Sequence, residues 1–274
     1  GSFACGMLSP QQMHEGVAHI RSLTHKPFAI NLFVLPEATS PDAASLAACK
    51  KWLEPALRQV GLTMPNPTSW SQSFSAQFAC LLELAPTVAS FAFGILTAEQ
   101  VAALHQRNIL VAGTANNPEH LRQWLAVGAD AVVVQGVEAG GHRGGVGELA
   151  LADEMDLDAL LAACRPLTDK TLIAAGGIMD KARIETLLAA GANAVQLGTA
   201  FLVCDESGAS AVMKQALWQR RSQTTQLTRL FSGKPARGIA NAWMVQLAEH
   251  EHDTLPYPYH NALTTPLRTW ASQA

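Results

Sequence analysis

The chain has 274 residues, 49% of them hydrophobic and only 15% charged, with a formal net charge of −3. That balance excludes disorder, and the scattered Lys and Arg leave no basic stripe to follow a nucleic-acid backbone. No apolar run is long enough to span a bilayer and no secretory leader is visible, so the expectation is a cytoplasmic protein of one large domain or a little more, with neither nucleic acid nor membrane as partner.

In chain order, Ser9-Pro10 caps a helix expected to reach Thr24. PFAINLF (27–33) reads as a short apolar strand, and a second helix opens near Ser40. Residues 61–72 are rich in turn formers, and SFSAQFACLLELAP is a helix ending at Pro86. From there a rhythm sets in. Strands are expected at 87–93, 108–114, 129–136, 171–177 and 192–199. Helices follow them at TAEQVAALHQRN, NPEHLRQWLAVG, DLDALLAACRPL, DKARIETLLAAG and SAVMKQALWQRR. QLTRLFSG (226–233) is expected as a seventh strand and ARGIANAWMVQLAEH as a closing helix.

Nearly continuous apolar strands alternating with helices, at a spacing of about 20 to 25 residues, indicate a parallel sheet covered by helices. The two α/β solutions are a (β/α)8 TIM-type barrel, which needs eight strands, and a doubly wound open sheet; periodicity does not separate them. Residues 34–86 are the irregular part, expected as a helical cap or inserted region. The barrel is expected over 1–33 and 87–249, with 250–274 as a C-terminal extension.

Five cysteines (Cys5, Cys49, Cys80, Cys164 and Cys204) lie far apart with no CxxC, so they read as reduced, small buried hydrophobes and not as a metal site. Asp153, Glu154, Asp156 and Asp158 read as a solvated helix start, and His250, Glu251 and His252 as a charged helix end.

The strongest chemical signal is QGVEAGGHRGGVG (135–147), with six glycines following a buried strand. Glycines such as Gly140 and Gly141 let backbone approach a ligand, and His142 among them offers a group that exchanges protons near neutral pH. The competing reading is a loop with a solvated histidine. AAGGIMD (174–180) and AVQLGTAF (194–201) each end a strand in glycine before a helix, so the amides of Gly176, Gly177, Gly198 and Thr199 are candidates for gripping a phosphate. Tight turns alone would explain one such string better than two. Neither is a P-loop or a GxGxxG. Asn31, Thr114 and Gln135 place polar groups at strand ends, and Gln196 puts an amide in an otherwise apolar strand, where burial would demand a partner.

Together PFAINLF, QGVEAGGHRG, AAGGIMD, QLGTAFL and FSGKPARGIAN make the chain resemble the nitronate monooxygenases, the flavin enzymes once called 2-nitropropane dioxygenases. The resemblance spans nearly the whole chain. It implies a (β/α)8 barrel with a smaller added domain and non-covalent FMN without a metal. It also implies oxidation of alkyl nitronates, or of nitroalkanes, by O2 to a carbonyl compound and nitrite. By the resemblance, Asn31, Gln135, Gly140, Gly177 and the Gln196-Leu197-Gly198-Thr199 run contact the flavin, and His142 is the catalytic residue. The family's opening PI-x-Q-x-P-M strand and closing W-x-G-Q segment are not found, and GSFACGMLSP resembles the turn after that strand, so a barrel lacking its first strand is expected. A related flavin reductase, of enoyl-acyl carrier protein or of quinone, is the alternative in the same fold; Gln135 and Arg143 argue against it. A flavin-free barrel without activity and a phosphate-binding isomerase are the readings from other classes. Formation of a homo-oligomer is left open.

Overall fold

The structure is a computed structural model that describes residues 1–147, 153–219 and 224–273. In chain order its strands are β1 (Ser2–Ala4), β2 (Ala29–Phe33), β3 (Val88–Ala92), β4 (Leu110–Ala115), β5 (Ala131–Gln135), β6 (Gly141–His142), β7 (Thr171–Ala175), β8 (Ala194–Gln196), β9 (Thr225–Thr228) and β10 (Ala236–Ile239). The α-helices are α1 (Pro10–Leu23), α2 (Ala43–Gln59), α3 (Phe74–Leu84), α4 (Ala98–His105), α5 (Pro118–Ala126), α6 (Leu157–Cys164), α7 (Lys181–Ala189), α8 (Ala211–Trp218), α9 (Ala242–Gln246) and α10 (Tyr259–Gln273).

The helix starts follow from local chemistry. Ser9 and Gln12 form a reciprocal capping box on α1, with Pro10 at its first position, and Thr97 and Gln100 do the same on α4. Asn117, Asp156 and Asp180 accept from the amides of His120, Ala159 and Arg183 at the starts of α5, α6 and α7. Each satisfies an amide that the helix itself leaves without an acceptor.

The chain divides into two compact units. The first comprises 1–37, 72–139 and 143–197. It holds a seven-stranded sheet in the order β1-β2-β3-β4-β5-β7-β8, every neighbouring pair parallel. With its helices this is a TIM-type (β/α) barrel one strand short of eight. One face of the strands, carrying Ile30, Leu32, Ala89, Phe91, Val111, Val132, Val134, Leu172 and Ala174, is almost fully buried in a core with Met13, Val17, Leu81, Leu104, Leu121 and Leu161 from the helices. Trp124 of α5 is fully buried over Gly113 of β4, where any Cβ would collide with the indole ring.

The second unit comprises 38–71, 140–142 and 198–274. It contains an antiparallel sheet in the order β6-β10-β9, with His142 opposite Ala236 and Ala236 opposite Thr228. Its own core is Cys49, Trp52, Leu53, Leu57, Leu230, Leu255, Leu263 and Leu267.

Several expectations change in detail. The segment at 2–4, expected in a turn, is a strand paired in register with Ala29–Asn31. The strand expected at 226–233 is the short β9 of the second unit and ends at Thr228. It pairs antiparallel with β10 and is no part of the barrel sheet; an apolar run of that length does not disclose whether its partner is parallel or antiparallel. The helix expected from Ala236 begins only at Ala242; residues 236–239, with Gly238 among them, pair as β10. The compact units also run differently from the expected segments: α3 packs in the barrel core, and 198–249 groups with 38–71. Residues 220–221 of the helix expected over SAVMKQALWQRR lie outside the described residues.

Candidate active site

In the first unit, the polar groups forecast at strand ends lie on β2, β4 and β5. Asn31 Nδ2 donates to Ser90 Oγ at 3.0 Å and to Ser90 O at 3.3 Å. Thr114 Oγ1 donates to Phe91 O at 2.9 Å. Gln135 is a hub: its Oε1 accepts from Gly144 N at 2.8 Å, Asn116 Nδ2 at 2.9 Å and Arg143 Nη1 at 3.3 Å. Asn116 Oδ1 in turn accepts from the amide of Gly145. Two side-chain amides therefore fix the backbone of the glycine-rich loop after His142.

Arg143 closes this network. Its guanidinium grips Glu154 through Nε at 3.0 Å and Nη2 at 2.7 Å, donates to Gly136 O at 2.6 Å, and reaches Gln135 O at 3.0 Å. The two side chains are only 5% and 6% exposed. Glu154, expected in a solvated helix start, is thus the buried counter-ion of an arginine. A buried guanidinium needs a carboxylate, and Glu154 supplies it. Asp156 does cap α6, and Asp158 pairs on the surface with Arg183 at 2.8 Å.

The turn after β7 is built for close approach. Gly176 and Gly177 have φ of 119° and 63°, conformations that favour glycine. Among the described residues neither amide has an acceptor within the protein. In the second unit the amides of Gly198 and Thr199 are likewise without a protein acceptor among the described residues. A Cβ on Gly198 would meet nothing within 4 Å, and one on Gly140 would come within 2.7 Å of Thr199 Oγ1. The segment after Gly198 is a single 3-10 turn (Thr199–Phe201) and not the expected longer helix, so separate amides and not a summed helix dipole carry any anion preference there. Gln196, expected to be buried, is exposed because β8 stops at that residue; Leu197 is half-buried.

His142 lies in the second unit on β6. Its Nε2 is 2.7 Å from Ser232 Oγ, and Ser232 is itself 1% exposed and bonded to the backbone of Lys234. The Tyr257 ring meets the imidazole edge-on, with centroids 5.9 Å apart. Burial pushes the His142 pKa down to about 4, and the positive charges of Arg268 and Lys234 push in the same direction. The imidazole is therefore neutral at pH 7. Burial pushes the Tyr257 phenol up to about 12, so it keeps its proton. Arg268 donates to Asn261 Oδ1 at 2.6 Å, while its buried Nε has no hydrogen-bond partner among the described residues.

Ser232, Tyr257, Arg268 and Glu154 are the residues that sequence reasoning missed. Ser232 fell within the singled-out string FSGKPARGIAN, and Glu154 within the acidic cluster read as solvated; a buried arginine in a glycine run was the available hint for Glu154. Thiol chemistry has no support. Burial raises the pKa of Cys5 to about 12 and of Cys49 and Cys164 to about 11. Cys49, 3.5 Å from His260 Nδ1, faces an imidazole held near pKa 4 by its own burial, so the pair is neutral. His250 stacks on Trp52 and Glu251 accepts from Arg229 N at 2.7 Å, which gives both packing roles.

The parallel barrel strands, with β5 continuing in sequence into a glycine-rich segment that carries a half-buried, neutral imidazole, are the make-up of a barrel enzyme. The family description "Nitronate monooxygenase" matches residues 1–274. A probable nitronate monooxygenase of Bacillus subtilis is 37% identical over 274 residues, covering 99% of this chain and 78% of that protein. The crystal structure of nitroalkane oxidase from Streptomyces ansochromogenes superposes with a TM-score of 0.89 at 37% identity, covering 100% of this chain and 78% of that one. FabK from Thermotoga maritima, at 23% identity and a TM-score of 0.68 over 92% of this chain and 66% of that one, shares the fold. The chain belongs to the nitronate monooxygenase family, whose members are flavin-dependent in general, and it is an oxidoreductase.

Proposed function

We propose that the protein oxidises alkyl nitronates with O2, using FMN, to a carbonyl compound and nitrite. The observation that carries the reading is His142, half-buried and neutral beside Ser232 and under the influence of two cationic side chains. The residues present fit a flavin: the amides of Gly176 and Gly177 in one unit, and of Gly198 and Thr199 in the other, lack acceptors among the described residues. Gly140 lacks the Cβ that would crowd Thr199. We assign these amides to the phosphate and Asn31, Thr114, Gln135, Gly141, Gln196 and Leu197 to the remaining contacts, with Gln135 acting through the loop it ties down.

Bound FMN would supply the ring that takes an electron from the nitronate before O2 completes the oxidation. The chain's own residues bind and orient the substrate. A neutral imidazole donates an N–H to an anionic nitronate oxygen, a bond strengthened by the charge on the acceptor. Ser232 Oγ holds the ring at Nε2. Arg268 and Lys234 favour an anion nearby. An imidazole held near pKa 4 is a weak base, so abstraction of a proton from a neutral nitroalkane is disfavoured and the preformed nitronate is the preferred substrate.

The reading is tested by adding a nitronate without oxygen to the flavin-loaded protein, following the visible spectrum, then admitting O2 and measuring nitrite. Bleaching followed by nitrite formation is expected. Fast reduction by NAD(P)H with no response to nitronate would transfer the assignment to a flavin reductase. A colourless protein that ignores added FMN would remove flavin chemistry altogether. The oxygen-requiring reaction and five free cysteines, four of them buried, suit the cytoplasm; among the described residues no helix is long and apolar enough to cross a membrane.

A further inference from the structure

Parity along β3 makes Phe93 an anomaly. β2 and β3 pair with Asn31 opposite Ser90 and Phe33 opposite Ala92, so these four share a face. The alternate residues Ile30, Leu32, Ala89 and Phe91 are fully buried on the helix-covered side. An extended backbone would send Phe93 after Phe91 to that side. Instead Phe93 is left-handed, with φ 76°, a conformation that a bulky side chain rarely adopts. Its ring turns back and stacks on Phe33, with centroids 4.2 Å apart and planes at 23°. Three contacts impose this. Phe93 N donates to Gly144 O at 2.8 Å, tying the residue to the loop anchored by Gln135. At Gly94 a Cβ would come within 2.7 Å of Val34 O, so only glycine lets the chain pass. Gly6 lies under the Phe33 ring, which any Cβ there would strike. Backbone strain of this kind persists where surroundings over-determine it, and it gathers at functional sites.

We propose that the Phe33–Phe93 stack is the wall against which the hydrocarbon part of the substrate lies, and that it sets selectivity by chain length. The inference rests on the nitronate reading above, in which Asn31, two residues before Phe33 on the same strand face, meets the flavin. A pair of flat rings at the carboxyl ends of β2 and β3 offers dispersion contact to an alkyl chain and no hydrogen bond to a polar one.

The test uses the full chain loaded with FMN. For the wild type, kcat/KM rises by roughly two- to fourfold for each methylene added from ethyl to butyl nitronate, the gain expected when a methylene is partly to fully buried. Phe33→Ala, and separately Phe93→Gly, flatten that series, with a loss that grows from ethyl to butyl nitronate, while leaving bound FMN within about twofold. Glycine suits the left-handed backbone at 93, so one variant keeps the fold if the other does not. In parallel, dissociation constants of straight-chain carboxylates from acetate to pentanoate are read from the flavin spectrum. These planar anions resemble nitronates and are not oxidised. Loss of the chain-length trend in both series supports the wall. An unchanged trend in the variants, or an equal loss at every chain length, overturns it. If the wild type oxidises no nitronate yet the carboxylate trend still collapses in the variants, the wall stands and the proposed reaction falls.

Discussion

At the scale of single residues, the site divides its labour between a neutral imidazole and a buried ion pair. His142 is set against Ser232 Oγ at 2.7 Å and contributes a hydrogen bond without carrying charge. His142→Ala is expected to lower nitronate turnover roughly a hundredfold, the scale of losing one donor to a developing or resident anion, with bound flavin unchanged. Equal turnover in the variant would remove His142 from the mechanism. Arg143 and Glu154 do something else: they hold the loop backbone through Gly136 O and Gln135 O. Glu154→Leu strands a buried guanidinium and is expected to destabilise the protein by about 3–5 kcal/mol in urea unfolding. Adding Arg143→Met to it should recover much of that loss, and a double variant no more stable than the single would refute the ion-pair account. Glu154 was hidden in the sequence by its neighbours. Asp153, Asp156 and Asp158 make the segment look like a solvated helix start, and nothing local distinguishes the one carboxylate that turns inward.

At the scale of elements, the short turns after β7 and β8 carry the cofactor assignment. Gly198 gives the cleaner test, since a Cβ there meets no protein atom within 4 Å and its φ is −121°. Gly198→Ala is expected to leave thermal stability near the wild-type value while weakening FMN binding at least about tenfold, because the methyl group occupies space the phosphate needs. Full flavin retention would sink the phosphate role of that turn. Regular elements were legible where one residue determines the outcome: Ser9, Thr97 and Asn117 announced helix starts that their side chains do cap. The parallel strands were legible as unbroken apolar runs. Strand partners were not. Ser2–Ala4 is too short to show a period, and β9 resembles a barrel strand until its antiparallel neighbour β10 is seen. Ser232, Tyr257 and Arg268 reach His142 across 90 or more residues of sequence, a proximity that composition and spacing do not encode.

At the scale of the whole molecule, a half-buried and a buried histidine couple stability to pH. His142 and His260 both have folded pKa values near 4, below the 6.5 of an exposed imidazole, mainly through burial. Below pH 6.5 the unfolded chain takes up protons that the folded chain refuses, so stability falls with pH until about pH 4, where the folded state also protonates. The loss is of order 3 kcal/mol per group at most. Melting temperature is expected to be level above pH 7 and to drop between pH 6.5 and 4. A level profile through that window would show that neither imidazole is held neutral.

Phe93 has a consequence for how this scaffold can diversify. Its backbone would be more comfortable with glycine or asparagine, so deleting the ring relieves strain at the moment it opens space. Losing a nearly buried, stacked ring weakens a protein, and relief of the left-handed backbone offsets part of that loss. Descendants adapting to bulkier molecules have here a mutational step that costs less than the same change on an unstrained backbone, and small residues at this position should mark the branches that took it.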